Sequence, residues 1–422
     1  MISINKWNLC IGCGFCVVAC PSGSLRMKWT WDCTWRPEVN KQTCTNCGKC
    51  ERSCPFQAEN HIRWLENFEK EKEMTGVIGS STYIGWNNNK QLRSRSPSGG
   101  ILTELLKIML RAKLIDCVIV PVGKMARIGV AHNSVRLLMT EDEIDSSRGS
   151  FYEPVNYDNA LQDLVKKGLF AVLVGLPCAI KALELARPEI KNLIKYTVGV
   201  MCSHNTTGAF VDCLARQVGI KKKENYRVNL RAKDLSMSSA NGFFNTFTTE
   251  NGKRYCQNRY INNFTNMWRN YFFAQECCLY CPDFFAASSD ISAKDAWGKY
   301  SDDPLGKTIL VSRNKQIDKL LEQLINDKQI SLQPIPQQEV FDSQPMTAVF
   351  KQRNAAKRFY FYLGRKPLTE EELSVHSEWK KLDIGRRLSN FFYRFFRKVP
   401  IWFILREVRT KKLGIQEAKN EV

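Results

Sequence analysis

Between residues 101 and 219 the chain alternates two hydrophobic patterns. Residues 101–114 carry apolar side chains at helical spacing, and 117–123 follow as a short apolar strand. Residues 161–169 are amphipathic with a helical period and lead into the nearly continuous apolar run 170–178. Another buried-strand pattern covers 196–202, and a helix pattern covers 206–219. Strands that are apolar on both faces and alternate with helices predict an α/β body with a largely parallel sheet. Upstream, 64–73 is charged and helical, and the body begins near Gly76. From residue 349 the pattern is helical, basic and aromatic. The expected domains are 1–58, 76–348 and 349–422.

Composition narrows this picture. A chain of 422 residues with 44% hydrophobic content exceeds one ordinary domain and has ample material for a core. No run reaches the roughly 18 apolar residues of a membrane span. The first ten residues lack an apolar signal region, so a cytoplasmic chain is expected. In that setting 17 cysteines point to metal ligation and not to disulfides. The net charge of +20 asks for an anionic counterpart. No helix-turn-helix, zinc finger or aromatic RNA platform is present, so nucleic acid is not expected; an acidic electron carrier or a polyanionic cofactor is.

The cysteines carry the chemistry. Cys10, Cys13, Cys16 and Cys20-Pro21 repeat in spacing as Cys44, Cys47, Cys50 and Cys54-Pro55. A cubane 4Fe–4S cluster takes four thiolates, three from one tight loop, and the fourth cysteine of such a run ligates the other cluster of the pair. The expected sets are Cys10, Cys13, Cys16 and Cys54, then Cys44, Cys47, Cys50 and Cys20. Zinc favours isolated Cys-x-x-Cys arms, and a disulfide framework needs an oxidising compartment. The spacing selects two iron–sulfur clusters in an α+β, ferredoxin-like module.

Three features of the body end strands or open helices, where ligands bind in α/β folds. Ser98-Gly99-Gly100 precedes the helix at 101, either as a phosphate-binding start or as a plain turn. Cys178 closes the strand at 170–178 and Cys202 the next one; lone cysteines there can also be core residues. Cys278-Leu279-Tyr280-Cys281 supplies two thiolates, and Cys178 with Cys202 would complete a third set of four.

Together, Ser98-Gly99-Gly100, 148–154, Gly175-Leu176-Pro177-Cys178, Cys202, the Cys278–Cys281 pair and 289–298 resemble the beta subunit family of coenzyme F420 hydrogenases and dehydrogenases. Several members carry the same two-cluster module in front. The resemblance implies a flavin-binding body with FAD and a third 4Fe–4S cluster on Cys178, Cys202, Cys278 and Cys281. It implies flavin contacts from Ser98, Gly99, Gly100 and Thr103, and from Gly149, Ser150 and Tyr152. Electrons would then pass between a hydride donor, F420 or another, and ferredoxin or a partner redox subunit. The same scaffold also occurs among genes of cell-surface polysaccharide assembly, and a non-catalytic electron-transfer subunit is a further reading.

Departures touch the substrate side. Ala286, Ala287 and Ser288 stand where many members carry an arginine, and Ser203-His204-Asn205 replaces a small glycine-containing turn. His204 suits either proton donation or a structural hydrogen bond. Asp290 and Asp295 suit capping or turn formation. In the tail, Arg386, Arg387, Arg394, Arg397 and Lys398 alternate with Phe391, Phe392, Tyr393, Phe395 and Phe396. Such a helix either lies peripherally on an anionic membrane or packs its aromatic face on the body.

Overall fold

The computed structural model describes residues 9–71, 74–258, 264–269, 271–353, 355 and 416–417. Its N-terminal part repeats one device. The second cysteine of each run is followed by a glycine in the left-handed region, Gly14 at φ 82° and Gly48 at φ 68°. A side chain would resist that turn. Short helices follow at Phe15–Val18 and Lys49–Arg52, carrying the third cysteine of each run. Between the runs, β1 (Leu25–Trp29) and β2 (Trp35–Val39) pair as an antiparallel hairpin. A helix at Ala58–Glu71 leads out.

The body strands in chain order are β3 (Ser81–Asn87), β4 (Cys117–Gly123), β5 (Ala126–Arg127) and β6 (Asn133–Leu138). Next come β7 (Ala171–Gly175), β8 (Ile194–Val200), β9 (Asn225–Lys233), β10 (Phe243–Thr249) and β11 (Arg254–Asn258). The last are β12 (Ile291–Asp295), β13 (Thr308–Ser312), β14 (Ile330–Pro334) and β15 (Gln416–Glu417). Eight of them form one sheet in the order β14-β3-β13-β12-β8-β7-β4-β6. Its centre, β12-β8-β7-β4, is parallel. Both flanks are antiparallel. The sheet is therefore mixed and not largely parallel. The connection 296–307 holds no α-helix of the kind that usually carries a parallel crossover, and β12 and β13 pair antiparallel.

Period-two alternation divides the central strands between two helical layers. Val118, Val172 and Val174 pack under the helices Ile101–Arg111 and Lys315–Asn326. Cys117, Ile119, Ala171 and Leu173 pack under Asp158–Lys167 and Pro177–Glu184. Phe15 and Val18 of the cysteine module join that second core, which fixes the module to this face.

A second sheet, β15-β11-β10-β9-β5, is antiparallel throughout and packs on the helices Ala209–Gln217 and Phe264–Arg269. The hydrophobic pattern did not announce it, because β9 interleaves Asn, Arg and Lys with its apolar residues. The basic helical tail expected over 349–422 lies outside the described residues, apart from 349–353, 355 and 416–417. Among the described residues no helix is long and apolar enough to cross a membrane.

Candidate iron–sulfur and flavin sites

The two cysteine runs interlock. Cys13 and Cys16 face Cys10 and Cys54, so the last cysteine of the second run joins the first three of the first. Burial pushes the thiols of Cys13 and Cys16 well up, and pushes Cys54 to about 12. Buried thiols of this kind become thiolates when a metal centre takes their protons' place. The Gly12 amide already donates to Cys10 Sγ at 3.4 Å. In the other set, Cys20 stands near Cys47 and Cys50. Burial opposes ionisation of Cys20, but the Ser22 hydroxyl and nearby amides hold it below its usual value. Cys47 is exposed and accepts from the Lys49 amide; Cys44 is half-buried.

The third predicted set also converges, with one correction of geometry. Cys178 does not end a strand: β7 stops at Gly175, and Pro177 starts a helix whose first turn holds Cys178. Proline suits that first turn, where its missing N–H would have no partner anyway. Cys202 follows β8, while Cys278 and Cys281 lie in and after a tight turn at Glu276–Leu279. The four sulfurs line one cavity with Cys13 and Lys351. Cys277 lends its thiol hydrogen to Cys278, which is thereby held below its usual value. Asn205 N also donates to Cys278 Sγ at 3.3 Å. Among the described residues no group of three His, Cys, Asp or Glu side chains is gathered to hold a single metal ion.

Lys351 carried no signal in the sequence. It sits in the turn Val349–Arg353, is 2% exposed, and donates from Nζ to the Cys202 carbonyl at 3.0 Å. Burial alone would lower its pKa; the sulfurs of Cys281, Cys202, Cys278 and Cys178 raise it instead. Asp283, also buried, accepts from the Ala287 amide at 3.0 Å and is pushed up to about 6 by burial.

The cysteine module docks directly at this cavity. Tyr157 N donates to the Cys13 carbonyl at 2.9 Å, while its hydroxyl donates to Val174 O at 3.1 Å. Trp29 Nε1 reaches Gly129 O at 2.8 Å, and Gly208 N reaches Cys33 O at 2.8 Å. Leu9, Phe56, Trp64 and Phe68 share a core with Cys277, Tyr280 and Cys281. The aromatic link between the runs thus serves docking through Trp29, whereas Trp31 is 75% exposed.

The two segments expected at the flavin meet through a residue that the spacing did not single out. Arg231, on β9, donates to Asp295 Oδ2 at 2.6 Å and to Pro97 O at 3.2 Å, and also bonds Tyr152. It lies over the rings of Phe243 and Trp297. Arg231 Nε has no partner, and neither does the amide of the fully buried Asn245, which sits at the register shift where β10 pairs with β9. Nearby, Lys233 Nζ donates to Ser98 O at 2.8 Å; burial and Arg93 pull its pKa down to about 7. Ser98 Oγ donates to Lys307 O at 2.9 Å, and Gly99 N donates to Thr308 Oγ1 at 2.8 Å. Gly100 caps the helix in the left-handed region, with Thr103 half-buried in the first turn. Gly149 is exposed and Ser150 half-buried.

His204 is sandwiched between Trp268 and Tyr271 at centroid distances of 3.9 and 4.3 Å. Burial, with Lys351 nearby, lowers its pKa to about 3, so the ring is neutral. Asp290 is structural: its Oδ2 accepts from Thr197 N and Oγ1, both at 2.8 Å.

Interlocked cysteine runs on a ferredoxin-like module, docked on a mixed α/β body, define an iron–sulfur oxidoreductase of the electron-transfer class. A 4Fe–4S dicluster domain matches residues 9–58. The N-terminal and C-terminal parts of the coenzyme F420 hydrogenase/dehydrogenase beta subunit match 82–162 and 171–338. The chain belongs to that family. It is 23% identical over 318 residues to a subunit of the F(420)H(2) dehydrogenase of Methanosarcina mazei, covering 70% of this chain and 79% of that one. A solved chain of the F420-reducing NiFe hydrogenase complex from Methanosarcina barkeri is 16% identical, with a TM-score of 0.49 over 73% of this chain and 96% of that one.

Proposed function

We propose that the chain is an FAD- and iron–sulfur-dependent oxidoreductase that exchanges electrons between a hydride cofactor, of the F420 type or another, and a one-electron carrier. The observation that carries this reading is the shared cavity: Cys13 of the N-terminal module and Cys178, Cys202, Cys278 and Cys281 of the body line the same space. In this reading the thiolate sets run in one order. Cys20, Cys44, Cys47 and Cys50 are outermost, with Cys47 in solvent; Cys10, Cys13, Cys16 and Cys54 come next; the body set is innermost. Domain limits of 1–58, 76–348 and 349–422 belong to the same reading.

The flavin assignment rests on Arg231, Tyr152 and the turn at Pro97–Ser98, which one guanidinium joins. The unpartnered Arg231 Nε and Asn245 amide suit a polar ligand, because buried polar atoms are seldom left unpaired without reason. Bound FAD would take up a hydride's two electrons together and release them singly, which is the chemical need that connects a hydride donor to clusters. The residues' own tasks are to hold the ligand, exclude water and keep the thiolates oriented.

A second reading makes the chain a subunit docked to a larger partner, supported by the Methanosarcina mazei relative, whose name describes it as one part of a dehydrogenase. Anaerobic purification tests the first reading. About 12 irons, matching three 4Fe–4S clusters, and bound FAD released on denaturation are expected. Reduced F420, NADH and NADPH are then tried as donors with a dye acceptor. Protein without flavin would sink the first reading and leave the second.

A further inference from the structure

Lys351 lies beyond residue 338, where the family match ends, yet its side chain reaches the innermost thiolate set. An ammonium buried to this degree is costly unless it is compensated. Its hydrogen bond goes to the Cys202 carbonyl, and among the described residues it forms no ion pair with a carboxylate. Asp283 feels the charge of Lys351, but both of its oxygens accept from the Ala287 amide. What faces the ammonium from the other sides is sulfur: Cys281, Cys202, Cys278 and Cys178.

We propose that Lys351 is a positioning residue that supplies the fixed counter-charge of the body cluster and raises its reduction potential. The inference rests on the third-cluster reading above. Reduction adds one electron, delivered by the one-electron carrier, and makes an anionic cubane one charge more negative; no bond forms and no proton is required. A cation held in a low-dielectric site favours the more negative state. The carbonyl of Cys202 fixes the cation, so the effect is built into the fold and not lent by solvent.

The experiment is a redox titration followed by EPR of the full chain, with the body-cluster signal identified as the one lost in Cys281→Ser. Lys351→Met is expected to keep about 12 irons and to shift the reduced-to-oxidised ratio of that signal at least tenfold toward oxidised, about 59 mV for one electron. The two N-terminal signals stay where they were, and Lys351→Arg restores the potential. An unmoved potential in an iron-replete Lys351→Met overturns the proposal. Where Lys351→Met loses its cluster, the arginine variant decides. Arginine that keeps the cluster near the native potential supports a charge role, and arginine that also loses it overturns that role. A native chain with only about 8 irons would instead refute the third-cluster reading, and with it this inference.

Discussion

Cys277 and Cys278 are adjacent in the chain but differ in what their sulfurs receive. Cys278 accepts a thiol hydrogen from Cys277 and the amide of Asn205, whereas burial drives the Cys277 thiol well up. Under the proposed third-cluster reading, Cys278 is the ligand and Cys277 its support. Cys278→Ser and Cys178→Ser are each expected to lower the iron content by about four, while Cys277→Ser keeps it. Equal losses in all three would overturn that division. At the other site, Arg231→Met removes a charged donor worth about 1.5–3 kcal/mol. FAD bound per chain should fall at least roughly tenfold, with iron unchanged. Flavin retained at native stoichiometry would move the flavin away from Arg231. A lone lysine in a basic tail and a lone arginine on a polar strand have no spacing to betray them. That is why Lys351 and Arg231 came only from the fold, while periodic cysteines were legible in advance.

At the scale of elements, apolar runs located β4, β7 and β8; β7, buried at every position, shows most plainly that a strand covered on both faces needs no polar alternation. Strand direction was less legible: whether a neighbour runs parallel depends on connection length and packing, not on the composition of either strand. The turn before the helix at Ile101–Arg111 shows a second limit. Gly99 stands in the segment that the proposed reading gives to the flavin, and a Cβ there would also come within 2.7 Å of Gly85 O and 2.8 Å of Thr308 Oγ1. The glycine lets the helix start settle on β3 and β13. Gly99→Ala is accordingly expected to cost about 1–3 kcal/mol by overpacking, read as a lower denaturant midpoint of flavin-free protein. Native stability in that form, together with loss of FAD, would instead return Gly99 to the flavin.

For the whole molecule, the exposed end of the cysteine module carries surface cations. The chain carries +20, and Cys47, outermost in the proposed order, is solvent-exposed beside exposed Lys49 and Arg52. Arg52 also holds the Cys47 carbonyl at 2.9 Å, so a cation stands against the loop itself. A field of this sign concentrates acidic carriers and speeds their encounter about tenfold or more at low salt. The Debye length shrinks from about 30 Å at 0.01 M to about 8 Å at 0.15 M, which screens that attraction. Under the proposed order of thiolate sets, the rate of electron exchange with an acidic ferredoxin should fall by about an order of magnitude over this range. Exchange with an uncharged dye should not. Charge reversal at Lys49 and Arg52 should flatten the salt dependence with the acidic carrier and leave the iron content intact. A stopped-flow rate that is insensitive to salt and to these reversals would mean that electrons enter elsewhere. The exposed cysteine run would then have to be a structural end of the chain and not its redox mouth.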